Sequence, residues 1–271
     1  RFGPDAILFG ILSGPRDATR QRRKGVLLLN SGAVHRVGPN RLYVTLARQW
    51  ASLGYTVLRM DLAGLGDSPQ RPGEAENVVY SAHALSDVGA ALKYLRDTHQ
   101  LTDIRAMGIC SGAYHAFKAA VAGAPLSGVT LINPLTFFWK AGVPLKYPEH
   151  HVVGEMKRYS TNMWRLESWK KMFAGQVDLR HLFRVLVKRL RSIIVHRARA
   201  VLSTLRVPLP EDLRKELRTL ARRRVDMSFV FADRDPGLAL LTEQGGSTVR
   251  HLQSRGALDI HIVQDANHTF T

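Results

Sequence analysis

Gly108-Ile109-Cys110-Ser111-Gly112 is the stretch whose reading decides this chain. The β-compatible apolar run Ile104 to Ile109 leads into it, and Ala113 to Ala122 behind it has helical character. Strand, sharp turn and helix form the setting in which a nucleophile is raised on a strained backbone position, more often a serine than a cysteine. At such a turn the residues two before and two after must be nearly free of side chain. Centring on Cys110 puts Gly108 and Gly112 there. Centring on Ser111 puts Ile109 and Ala113 there, and Ile109 collides with the turn. Cys110 is therefore the candidate nucleophile.

Outward from this point the pattern alternates between strand and helix, which predicts an α/β fold with a mostly parallel sheet covered by helices on both faces. Ala6 to Leu12 reads as an early edge strand. Gly25 to Leu29 is a short, continuous apolar run, the mark of a strand buried on both faces. A helix from about Asn40 to Leu53 ends at Gly54, and Tyr55 to Met60 is the next strand. Ser81 to Thr98 predicts a long helix with Leu85, Val88, Leu92 and Leu95 on its buried face. Further strands are expected at Ile104–Ile109, Gly128–Ile132, Met227–Ala232 and Leu258–Val263.

Between Leu135 and Val225 this alternation breaks. The segment reads as helical, with Leu179, Leu182, Phe183, Leu186, Leu190, Ile193 and Ile194 recurring at three- and four-residue steps, and Arg180, Arg184, Lys188 and Arg191 on the other side. It also holds 21 of the 39 Lys and Arg residues and only 7 of the 22 Asp and Glu. Nearly all of the +17 net charge is thus local to it. We expect a core of residues 1–134 and 226–271 and a helical, basic cap or lid at 135–225, inserted on the carboxyl edge of the sheet, where α/β sites open. Such a surface suits an anionic partner or a membrane surface, or is simply a solvated face.

At 271 residues and 45% hydrophobic content, the chain can bury a substantial core. No apolar run approaches the roughly 18 residues that span a bilayer. The single cysteine permits no intrachain disulfide, which points to a reducing cytoplasm. Arg1 is not an initiator methionine and Thr271 follows His268 by three residues, so the sequence reads as a fragment or a trimmed domain.

Four motifs, in order, resemble the α/β-hydrolase superfamily, in a member with a cysteine nucleophile and a helical cap. Leu29-Asn30-Ser31-Gly32-Ala33 resembles the oxyanion loop, and Asp61-Leu62-Ala63-Gly64-Leu65-Gly66-Asp67-Ser68 the D-x-x-G-x-G-x-S turn. The elbow at Cys110 is the third. Loops at Asp235 and His268 complete the order nucleophile, acid, base. The resemblance implies a Cys110–His268–Asp235 triad, with Asp233 as the alternative acid one strand-end residue away. It implies backbone N–H donors at Ala33 and Ser111 for a developing oxyanion. His35, close to that loop, is a possible substrate contact, while Asp61, Gly64 and Gly66 read as structural braces. The family carries a helix after its histidine, which this sequence lacks.

Acyl transfer through a thioester on Cys110 is the expected chemistry, on activated acyl substrates such as thioesters, esters or lactones, with no cofactor and no metal. Water or another acceptor completes the cycle. The small acyl substrate could arrive on an acidic carrier protein. The alternative is a non-catalytic binding protein that docks an anionic partner on its basic cap. Clustered arginines also suit phosphate, but no base-reading motif supports nucleic acid.

Overall fold

The computed structural model of the protein describes residues 1–17, 22–140, 142, 211–233 and 235–270. Within them seven strands form one sheet: β1 (Phe9–Ser13), β2 (Lys24–Leu29), β3 (Thr56–Asp61), β4 (Asp103–Ile109), β5 (Gly128–Ile132), β6 (Asp226–Ala232) and β7 (Leu258–Val263). Their order is β1-β3-β2-β4-β5-β6-β7. β1 runs antiparallel to β3, and every other pairing is parallel. The expected α/β architecture is present.

Parallel neighbours need crossovers, and helices supply them. These are α1 (Leu42–Ser52), α2 (Ala84–His99), α3 (Ser111–Ala122), α4 (Leu213–Arg222), α5 (Gly237–Gly245) and α6 (Ser247–Ser254). Two apolar clusters divide between the faces. One unites α2, α3 and α4 around Leu27, Leu58, Phe117, Phe137, Phe229 and Phe231. The other packs Tyr43 and Ala47 of α1 on Val26, Leu28, Val57, Met107 and Ile109. Strand residues alternate between the two, as the pleat demands.

Two expectations need adjustment. In α2 the buried stripe is Ala84, Val88, Ala91, Leu92 and Leu95, while Leu85 is 40% exposed. A helix turns about 100° per residue, so centring the stripe on Ala84, Val88 and Ala91 swings Leu85 outward. The second concerns the segment 135–225. Its described ends pack on the core: Phe137 is buried among core rings, and α4 buries Leu213, Leu217 and Leu220. Lys118 of α3 also donates to Glu216 of α4 at 2.6 and 2.8 Å in a largely buried pair. Residues 141 and 143–210 of that segment, including Arg180, Arg184, Lys188 and Arg191, lie outside the described residues. No described helix is long and apolar enough to cross a membrane.

Candidate active site

Cys110 stands between the end of β4 and the start of α3 with φ 57° and ψ −115°. Left-handed φ is costly for any residue with a Cβ, and the surroundings hold it there. Its N–H donates to the Ile132 carbonyl at 2.9 Å, and its own carbonyl accepts from Tyr114 N–H at 3.3 Å. The glycines explain why so sharp a turn fits. A Cβ at Gly108 would lie 2.1 Å from the Gly112 carbonyl carbon, and one at Gly112 would lie 2.5 Å from the Asn30 carbonyl oxygen. Strand, turn and the preceding loop approach closely enough that only hydrogen fits at both positions.

Beneath the turn, Tyr43 is fully buried, and its hydroxyl bridges two strands. It donates to the Leu29 carbonyl and accepts from Ile109 N–H, each at 3.0 Å. Burial, more than any other influence, pushes this phenol up from its ordinary value. No local pattern hints at this role, because Tyr43 fits the apolar stripe of α1 and reads as core.

The loop after β2 lies against the start of α3. Gly32 N–H donates to the Ser111 hydroxyl at 2.8 Å, and Ser111 is buried. The Ala33 N–H has no acceptor among the described residues, and Ser111, first in α3, has an N–H without an intrahelical partner. Neither N–H has an acceptor among the described residues, which leaves both available to a ligand oxygen. Asp61 anchors the loop from below. Its buried carboxylate accepts from Asn30 Nδ2 at 2.9 Å and from Arg36 through both N–H (2.6 Å) and guanidinium (2.7 Å). A Cβ at Gly66 would sit 2.6 Å from that carboxylate, so Gly66 lets its turn close over it. Arg36 was not singled out from the sequence. Its pairing with Asp61 depends on the loop folding back, which no local pattern signals. His35 is exposed and has no hydrogen bond from its ring among the described residues.

On the same carboxyl edge, after β6, the Asp235 side chain is 1% exposed and its Oδ2 lies 2.5 Å from His268 Nδ1. Oδ1 accepts from Gly237 N–H at 2.8 Å, which fixes the carboxylate's orientation. Of the two candidate acids, Asp235 holds the imidazole, and Asp233 lines the same cleft. The other ring nitrogen, Nε2, is buried and has no hydrogen-bond partner among the described residues. Burial disfavours the imidazolium, but the Asp235 carboxylate and the Cys110 sulfur outweigh it and raise His268 to about 10. A cleft of about 470 Å³ opens on the acid side, lined by Leu135, Pro236, Asp265, Asn267 and His268 among others, and Cys110 is not in its wall.

Asn133 at the end of β5 is the further residue that sequence reading missed. It is fully buried and donates Nδ2–H to the His268 carbonyl at 2.7 Å. A single asparagine after a strand has no signature for a contact 135 positions away.

Comparison with known proteins agrees with this architecture. Residues 21–171, more than half of the chain, match the family described as serine aminopeptidase, S33. The proline iminopeptidase of Mycobacterium smegmatis superposes with a TM-score of 0.55 at 12% identity, covering 99% of this chain and 91% of that one. An esterase of Pyrococcus furiosus gives 0.52 at 14% identity, covering 100% and 87%. Identities this low speak to fold alone. No curated protein matches the sequence. With its glycine-flanked elbow, its parallel sheet and that match, the chain belongs to the serine aminopeptidase S33 family of α/β hydrolases.

Proposed function

We propose that the protein is an acyl hydrolase or acyltransferase whose nucleophile is Cys110, with His268 as acid–base and Asp235 orienting it. The observation that carries this reading is the Asp235–His268 pair, whose free Nε2 is buried and under the influence of the Cys110 sulfur. The family's usual nucleophile is a serine, and Ser111 is the nearest one. Its hydroxyl is buried and already accepts from Gly32 N–H, and it sits inside α3 rather than on the strained turn. Those facts favour Cys110.

Asp235 and the Cys110 sulfur favour a protonated His268, which then does not begin as a general base. In a cysteine enzyme it need not, because the proton already on the ring can leave the sulfur as thiolate. The Cys110 sulfur then attacks the acyl carbon, an S–C bond forms, and the carbonyl π pair moves onto oxygen. Ala33 and Ser111 N–H groups are the donors for that oxyanion. Collapse breaks the bond to the leaving group, which takes the Nε2 proton. Now neutral, His268 draws a proton from water or another acceptor. That oxygen or sulfur attacks the thioester carbon, and the C–S bond breaks to restore thiolate and imidazolium. Activated acyl groups (thioesters, esters, lactones) suit a thiolate better than amides do.

The excess positive charge of residues 135–225 supports an anionic carrier for the acyl group. Intact-protein mass spectrometry after exposure to a panel of acyl thioesters and activated esters tests the chemistry. One acyl group should add to the wild type and to Ser111→Ala but not to Cys110→Ala. An adduct that survives in Cys110→Ala and vanishes in Ser111→Ala would sink the cysteine reading.

A further inference from the structure

His268 stands on a loop with little packing beneath it. It follows β7, the outer strand, in which only Leu258 is buried. The loop braces itself locally: the Asn267 carboxamide oxygen accepts from Thr269 N–H at 3.1 Å and Thr269 hydroxyl at 3.2 Å. Phe270 rests partly buried on the cluster under Cys110. None of these contacts sets the height of the His268 backbone against the sheet edge.

Asn133 makes that contact. Its Nδ2 donates to the His268 carbonyl at 2.7 Å, and its Oδ1 accepts from Ala232 N–H at 2.9 Å. Its own N–H donates to the Val230 carbonyl at 2.9 Å. Ala232 ends β6, and its carbonyl accepts from Asp235 N–H at 3.0 Å. One buried side chain thus joins the backbone of the base to the strand end that launches the acid. A carbonyl on one side and an N–H on the other fix which way the amide points, and only a side-chain amide offers a donor and an acceptor in that arrangement. The backbone narrows the choice further: φ is 44°, a region where asparagine is among the few tolerated non-glycine residues.

We propose that Asn133 is a positioning residue for His268, fixing where the imidazole stands between Asp235 and Cys110. This rests on the Cys110–His268–Asp235 reading above. A purely structural asparagine would satisfy its neighbouring strand and stop there. This one spends its donor on the carbonyl of the base itself, 135 positions away, in a loop with few other anchors. A misplacement of about 1 Å at such a group can cost on the order of 10² in rate.

Because Cys110 is the sole cysteine, alkylation by iodoacetamide reports one site without a known substrate. Its rate is measured across pH for wild type, His268→Ala, Asn133→Asp and Asn133→Ala, with thermal unfolding recorded for each. Asn133→Asp keeps the volume and the acceptor for Ala232 and, as a carboxylate, loses the donor facing His268. Asn133→Ala removes the donor without adding a charge, so a loss shared by both variants does not come from charge. Wild type should react at least about tenfold faster near neutral pH than His268→Ala, and both Asn133 variants should fall most of the way to that lower rate while remaining folded. Folded Asn133 variants with the wild-type profile would overturn the proposal and leave the triad standing. So would failure of both to fold, which would make Asn133 structural. Equal profiles for wild type and His268→Ala would instead overturn the triad, and the positioning role with it.

Discussion

Cys110 and His268 stand at one sheet edge but come from opposite surroundings. β4 lies in the middle of the sheet, between β2 and β5, with Ile104 and Ala106 through Ile109 buried. β7 is the outermost strand, and beyond Leu258 its residues are partly or fully exposed. Cys110 is accordingly held by exclusion: backbone crowds backbone so closely at Gly108 and Gly112 that the turn has one way to fit. His268 is held by attachment, through a carboxylate on one ring nitrogen and an amide on its carbonyl. Sterics that fix a turn fail together with the fold, whereas hydrogen bonds that fix a loop side chain can be removed with the fold intact.

The largest effect should come from the attached side. Asp235→Asn keeps the shape but loses the charge that favours the imidazolium and can present an N–H to Nδ1, leaving the ring in the wrong tautomer. We expect kcat/KM for an activated acyl substrate to fall on the order of 10³, about 4 kcal/mol of transition-state stabilisation, with a thermal midpoint close to wild type. A steady-state assay beside a melting curve checks both. If activity and midpoint fell together, the contrast between the two regions would be lost.

The excluded side should respond in stability. In Gly112→Ala the new methyl would lie 2.5 Å from the Asn30 carbonyl oxygen and 2.7 Å from that of Leu29, both backbone atoms that cannot swing away. Overpacking of this kind costs about 3 kcal/mol, roughly 10 °C in the midpoint of a chain this long. A soluble variant melting within about 2 °C of wild type would mean that the turn is softer than its geometry.

This contrast also separates what was legible in the sequence from what was not. Steric demands are local: the glycines two before and two after Cys110 announce the turn, and short apolar runs with their glycine stops announced all the parallel strands. Asp235 and His268 came from the family resemblance, on the loops after β6 and β7, and the strand end alone left Asp233 and Asp235 both open. Attachments across the sheet were not legible. Asn133 meets His268 only because β5, β6 and β7 lie side by side, and Arg36 meets Asp61 only after its loop folds back. Charge hid α4 as well. Its arginines and lysine grouped it with the basic segment, while Leu213, Leu217 and Leu220 seat it on the core.

Tyr43 lies between the two cases, a side-chain attachment within the crowded centre. Tyr43→Phe keeps the ring and leaves Ile109 N–H and the Leu29 carbonyl unpaired in the core. Stranded buried groups cost about 1–3 kcal/mol, so chemical denaturation should show a loss in that range with an unchanged denaturant slope. A loss well under 1 kcal/mol would mean that the strands repair the gap themselves.

The smallest effect is the pH dependence that His268 confers, and its sign follows from its partners. In the folded protein its value is raised from the ordinary 6.5 to about 10, because Asp235 and the Cys110 sulfur favour the imidazolium more than burial opposes it. Folding therefore stabilises the protonated ring. That stabilisation is complete below about pH 6.5, where the unfolded chain also carries the proton, and is lost as pH rises through about 10. The side chain is 35% exposed, so solvent screens the pair and the contribution should stay below about 1 kcal/mol. Unfolding midpoints measured between pH 6 and 10 should decline more steeply for wild type than for His268→Gln, which cannot be charged. Cys110→Ala should lie between them, since it removes one of the two groups that favour the proton. A wild-type slope no steeper than that of His268→Gln would mean that neither Asp235 nor the sulfur holds a charge on the ring. The proposed start from an imidazolium would then give way to activation of the nucleophile by His268 as general base.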